Sequence, residues 1–130
     1  MTENPKTAAG LRKLPQDLIR PIALVEMAAV SGLGSDCPDK AYDRWNWRDA
    51  PAEEQTYVAA IERHLLRWYA GEEIDAQTGV SHLASTLANC AILLDAQESG
   101  TLIDNQGETP GVLAVMDPYD ASSMPVVKAA

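Results

Sequence analysis

The stretch Ala76–Leu94, AQTGVSHLASTLANCAILL, contains not one charged side chain, yet it carries His82, Ser85, Thr86 and Asn89. Residues three and four apart share one face of a helix. His82, Thr86, Asn89 and Leu93 therefore line up, with Leu83, Leu87, Cys90 and Leu94 on the adjoining face. A helix that is apolar nearly all round is expected to be buried in a core or an interface. A polar seam on such a helix needs partners, because an unpaired buried polar group costs roughly 1–3 kcal/mol. The seam is thus either a satisfied core network or the wall of a site.

Working outward, the turn before this helix is Gly71-Glu72-Glu73-Ile74-Asp75, and the helix before the turn is the clearest in the chain. Pro51 opens it, Glu53 and Glu54 occupy its first turn, and Gly71 follows its end. Its apolar seam reads Tyr57, Ile61, Leu65 and Trp68, with His64 on the same side. An earlier helix is expected to begin between Pro15 and Pro21 and to end near Ser31, where Gly32 and Gly34 break it. Residues 32–50 read as a long loop, a kind of segment that often carries function. The third helix spans about Val80 to Gln97. The expected class is all-α: a small helical bundle, with a long loop between helices one and two and an irregular C-terminal tail. Residues 1–14 read as a mobile arm, 15–99 as the helical domain and 100–130 as the tail.

Composition narrows the function. The 130 residues carry a net charge of −9, and 46% are apolar. From Tyr69 to Val127 there are acids and no base. Such a surface repels nucleic acid polymers and anionic membranes. A small phosphorylated ligand remains acceptable where metal ions screen the charge. Cys37 and Cys90 form no motif and read as reduced thiols, so the expected compartment is the cytoplasm. The uncharged run is too rich in Ser, His, Thr, Asn and Ala for a bilayer span.

Several residues are candidates for chemistry. Glu26 is the only charge between Pro21 and Leu33, and its helical neighbours are Ile22, Ala23, Ala29 and Val30. A carboxylate on an apolar face is paired, metal-bound or at an edge. Glu72, Glu73 and Asp75 stand in sequence before His82, as a solvated acidic turn does in most proteins, or as a hard-cation locus; Mg²⁺ and Mn²⁺ favour oxygen ligands, and Mn²⁺ tolerates imidazole. His64 is the only other histidine. Antiparallel packing of the two helices would place it some distance from the turn and His82 near it. Trp45, Asn46 and Trp47 alternate with Lys40, Arg44 and Arg48, which suits a nucleobase with its phosphates, or a lid clamping the core.

Read in order, these segments resemble the dATP/dGTP diphosphohydrolase N-terminal domain family, which takes in the phage MazZ enzymes. The resemblance covers about residues 17–96. It is carried by Asp17-Leu18-Ile19 with Pro21, Leu24 and Glu26; by Lys40, Tyr42 and Asn46-Trp47; by Tyr57 and Ala60; by Arg63-His64-Leu65, Gly71-Glu72, Asp75, Thr78-Gly79 and His82-Leu83-Ala84; and by Asn89 before Leu93-Leu94. The family is similar to the MazG-type all-α pyrophosphatases, so the resemblance implies a MazG-like fold in a homodimer or homotetramer. It implies a hydrolase acting on the phosphoanhydride bond of a purine nucleoside triphosphate, dGTP or dATP, giving monophosphate and pyrophosphate with Mg²⁺ or Mn²⁺ as cofactor.

By position, the resemblance makes Glu26, His64, Asp75 and His82 the catalytic candidates. Glu26, Asp75, His82 and Glu73 are then the expected metal ligands. Lys40 and Arg63 are expected on the phosphates, Asn46 and Trp47 on the base, and Asn89 on the substrate. On helix three, Thr86 and Asn89 take the spacing at which MazG-type enzymes carry paired acids. The alternative is a non-catalytic helical nucleotide-binding or interaction protein of phage origin, separated from the enzyme by metal dependence. A virion component, the third reading, would show no nucleotide affinity.

Overall fold

A computed structural model describes residues 2–35 and 42–120. It is built from helices, with one two-stranded sheet. α1 spans Pro5–Gly10, a single 3-10 turn Gln16–Leu18, α2 Pro21–Ser35, α3 Asn46–Asp49, α4 Glu54–Tyr69, α5 His82–Ser99 and α6 Pro110–Asp120. The strands β1, Ala52–Glu53, and β2, Leu102–Ile103, pair in parallel.

The ends of the helices follow local chemistry. Pro21 supplies the first residue of α2, where its missing N–H costs nothing. α4 carries Glu54 in its first turn and Arg67 in its last, each complementing the helix dipole. The Ser81 hydroxyl caps α5 by accepting from the Ala84 N–H. Gly100, at φ +73°, stops α5 in the left-handed conformation that glycine adopts without strain. Its N–H bonds back to the Ala96 and Gln97 carbonyls.

α5 is the organising element: it packs along α4 and also meets α2, α3 and β2. The Ala52 N–H donates to the Thr101 carbonyl at 2.8 Å, so the start of α4 lies beside the end of α5 and the two helices run antiparallel. The buried residues on α5 are small: Ala84, Ser85, Ala88 and Ala96, joined by His82 and by Ala52 of β1. Small side chains on facing surfaces let helix axes approach closely.

Several details differ from expectation. The first helix runs through Gly32 and Gly34 to Ser35. Neither glycine adopts positive φ; an interior helical glycine costs about 1 kcal/mol, too little to stop a helix that packs on α5. The loop that follows contains α3. The arm holds α1, capped by the Asn4 side chain, and the tail holds β2 and α6. Leu65 and Trp68, expected on the buried seam of α4, are exposed, as are Leu83, Leu87 and Leu94 of α5. In the single chain α5 therefore buries one face, not all of its circumference. Among the described residues, no helix is long and apolar enough to cross a membrane.

Candidate functional site

The connection from α4 to α5 builds a small platform. Gly71 at φ +105° reverses the chain after α4. The Glu72 N–H then donates to the Arg67 carbonyl at 3.0 Å. Ile74 and Ser81 form an antiparallel bridge, and the Asp75 N–H donates to the Val80 carbonyl at 2.9 Å. Gly79, at φ +74°, closes the loop by donating to the Asp75 carbonyl. The connection thus folds back on itself, and the His82 N–H is held by the Glu73 carbonyl at 3.0 Å. This reversal brings the first residue of α5 level with His64, more than a turn before the end of α4.

The two imidazoles meet. His64 Nδ1 and His82 Nδ1 lie 2.9 Å apart, with ring centroids 5.1 Å apart. His82 is 1% exposed and is the largest fully buried side chain among the described residues. Its Nε2 lies 3.2 Å from Glu72 Oε1. A carboxylate only accepts, so Nε2 carries the proton; in the neutral ring Nδ1 of His82 then presents its lone pair toward His64. Glu72 accepts a second bond at Oε2, from Arg67 Nη1 at 2.9 Å. Bonds from His82 and then Arg67 hold the Glu72 carboxyl below its usual range. Burial, reinforced by His82 and opposed by Asp75, pushes His64 below the ordinary histidine range, which keeps it neutral at pH 7.

Asp75 completes the group. One ligand atom from each of His64, Asp75 and His82 lies within 4.8 Å of the others. The Asp75 Oδ1 accepts from the Gln77 N–H at 2.9 Å, which fixes the carboxylate on its turn. Two imidazoles and one carboxylate at this spacing are a donor set for a divalent cation.

The other expected site residues fall elsewhere. Glu73 is exposed and serves through its backbone; Glu72, one residue earlier, is the acid that reaches His82. The reversal at Gly71 decides this, turning one of two adjacent acids inward. Glu26 lies half-buried on α2, outside the three-residue group. Arg63 is exposed on α4. Thr86 and Asn89 bond to the carbonyls of His82 and Ser85 in their own helix. Lys40 lies outside the described residues, as does Cys37, whereas Cys90 is a half-buried free thiol.

The segment carrying Asn46 and Trp47 acts as a clamp. The Trp47 Nε1–H donates to Asp95 Oδ2 at 2.7 Å, and Arg48 grips both oxygens of the same carboxylate, each at 2.7 Å. Trp45, at φ +59°, lies under the Arg48 guanidinium and edge-on to Trp47. Of the two roles open to this stretch, the structure displays the clamp. Asp95 and Arg67 went unrecognised in the sequence, and the bonds that Arg48 and Glu72 make to them with it, because each pair forms between two elements or across a reversal.

Over residues 3–106 the chain is similar to the family model described as dATP/dGTP diphosphohydrolase, N-terminal. The match takes in every element from α1 to β2 and stops before α6. No curated protein and no solved structure matches the chain.

Proposed function

This chain belongs to the dATP/dGTP diphosphohydrolase N-terminal family, and from that premise we propose that it hydrolyses a purine nucleoside triphosphate, dGTP or dATP, to the monophosphate and pyrophosphate. The observation that carries the reading is the convergence of His64, Asp75 and His82 at the α4–α5 turn. In this reading Asp75 and His82 hold a divalent cation, Mg²⁺ or Mn²⁺. The bound cation would offset the charge of the phosphate tail on a surface that is itself acidic. Arg63 and Lys40 carry the phosphate contacts.

The reaction is a hydrolysis. Water oxygen adds to the α-phosphorus, the bond from that phosphorus to the bridging oxygen breaks, and pyrophosphate leaves. Glu26, half-buried on a helix that packs on α5, is the carboxylate we assign to the water proton. Positioning and charge matter more than covalent chemistry in such a transfer. The base is assigned to the α3 segment: Asn46 is half-buried there, and Trp47 offers a ring whose nitrogen is already bonded to Asp95.

A second reading has its own support. Thr86 and Asn89 bond to carbonyls of α5 and bring no acid to the spacing where MazG-type enzymes carry a pair, which favours a nucleotide-binding protein without turnover. Incubation with each ribo- and deoxyribonucleoside triphosphate, with Mg²⁺ or Mn²⁺, separates the two. Chromatography should reveal deoxypurine monophosphate and pyrophosphate. Nucleotide that binds but stays intact with both ions would establish the second reading.

A further inference from the structure

The donor set at the α4–α5 turn is unlike one suited to Mg²⁺, which takes oxygen ligands in a near-ideal octahedron and keeps several waters. Here two of three candidate donors are imidazole nitrogens. We infer that His64 is itself a metal ligand, and that His64 Nδ1, His82 Nδ1 and an Asp75 carboxylate oxygen form a site selective for a transition-metal dication over Mg²⁺. The inference rests on the assignment of Asp75 and His82 as cation ligands.

Three observations support it. First, the separation of the two nitrogens fits. Two Nδ1 atoms 2.9 Å apart subtend about 90° at an ion bonded to each at about 2.05 Å, the cis angle of a six-coordinate ion, and parting them by about half an ångström reaches the tetrahedral angle of zinc. Second, the rings face each other through Nδ1, and a single proton serves that contact in the metal-free protein. A cation takes over the same two lone pairs once His64 moves its proton to Nε2. Third, His82 has the outer support that ligating histidines carry. Its Nε2–H is donated to Glu72, and Glu72 is anchored by Arg67. A carboxylate behind an imidazole fixes the ring orientation and tautomer and raises its basicity as a ligand.

Imidazole donors rank divalent ions in the order Mn²⁺ below Co²⁺ below Zn²⁺, so the site should follow that series, with Mg²⁺ last. Glu72 acts through His82 and is a positioning residue. The cation would be held between α4, the turn and α5.

Calorimetric titration of the full, metal-stripped chain with Zn²⁺, Co²⁺, Mn²⁺ and Mg²⁺ tests this. We expect one Zn²⁺ per chain, bound at least about 100-fold more tightly than Mg²⁺. The chain has two histidines, so a nitrogen-15 spectrum of the imidazoles reads both ligands in the unmutated protein. Zn²⁺ should move the Nδ1 resonance of both rings. His64→Gln should then weaken Zn²⁺ roughly 10-fold or more, and Glu72→Gln roughly 10–100-fold. Comparable affinity for Mg²⁺ and Zn²⁺, or an unmoved Nδ1 on either ring, overturns the inference. Zn²⁺ binding through both imidazoles in a protein that hydrolyses no nucleotide would overturn the pyrophosphohydrolase reading and leave the site standing. Turnover with Mg²⁺ in a protein that does not select Zn²⁺ would do the reverse.

Discussion

Trp47 and Asp95, on α3 and α5, are joined by an indole N–H to carboxylate bond of 2.7 Å. Arg48 adds a bidentate grip on the same carboxylate, and the Ser99 hydroxyl bonds the Asp95 backbone carbonyl. One acid near the end of α5 therefore ties down the segment that leads into β1 and α4. Arg48 and Trp47 hold the Asp95 carboxyl down to about 2.

Asp95 makes stability depend on acid. Its folded-state value lies below the unfolded one, so its contribution is complete above about pH 4 and disappears as pH falls through about 2. Thermal melts across pH 7 to 2 should show the unmutated chain losing stability in that window. Asp95→Asn should melt lower at pH 7 and lose less on acidification. An unchanged acid response in the variant would remove Asp95 from the account.

Glu26→Gln should abolish nucleotide hydrolysis while leaving the helical circular-dichroism spectrum intact. The amide keeps the shape and removes the charge assigned to the water proton, and no hydrogen bond to another described residue is lost. Wild-type turnover in the variant would reject the assignment.

His82→Ala should cost both stability and metal affinity. The side chain is almost fully buried, and its removal leaves a void between α4 and α5 and unpairs His64 Nδ1, at about 1–3 kcal/mol for the unpaired group. Denaturant unfolding measures that loss. Calorimetry with Mn²⁺ should register at least roughly a 10-fold weakening in the fraction that folds. Unchanged Mn²⁺ affinity in a folded variant would make the His64–His82 contact purely structural.

Self-association should be measurable at micromolar concentration. Ile22 at 65% and Val25 at 63% exposure stand on α2, and Leu87 and Leu94 of α5 are also uncovered. Exposed apolar side chains grouped along a helix in this way suit association with a second copy. Sedimentation velocity should give a species heavier than the 14.0 kDa chain, and Ile22→Asp with Val25→Asp should reduce it to the monomer. A monomeric unmutated protein would contradict the expected homodimer or homotetramer.

The sequence by itself determined α2, α4 and α5, but not α1, α3 or α6. Ser81 as a cap, Gly100 as a stop and the Gly71–Gly79 reversal are local chemistry, settled within four residues of each position. It also set His82 on an uncharged helix behind an acid-rich turn holding Asp75, and the resemblance to a known family made these two and His64 the candidates. Tertiary structure alone decided that the two imidazoles touch, since antiparallel helices bring residues level only according to how the connection folds back. It decided that the carboxylate of Glu72 meets the His82 ring, whereas Glu73 meets His82 through its backbone carbonyl, because α5 docks its first residue against the end of α4, where Arg67 holds Glu72. It decided, too, that Trp47 is spent on Asp95: a hydrogen bond between residues 47 and 95 leaves no trace in local periodicity, and exists only because α3 packs on α5.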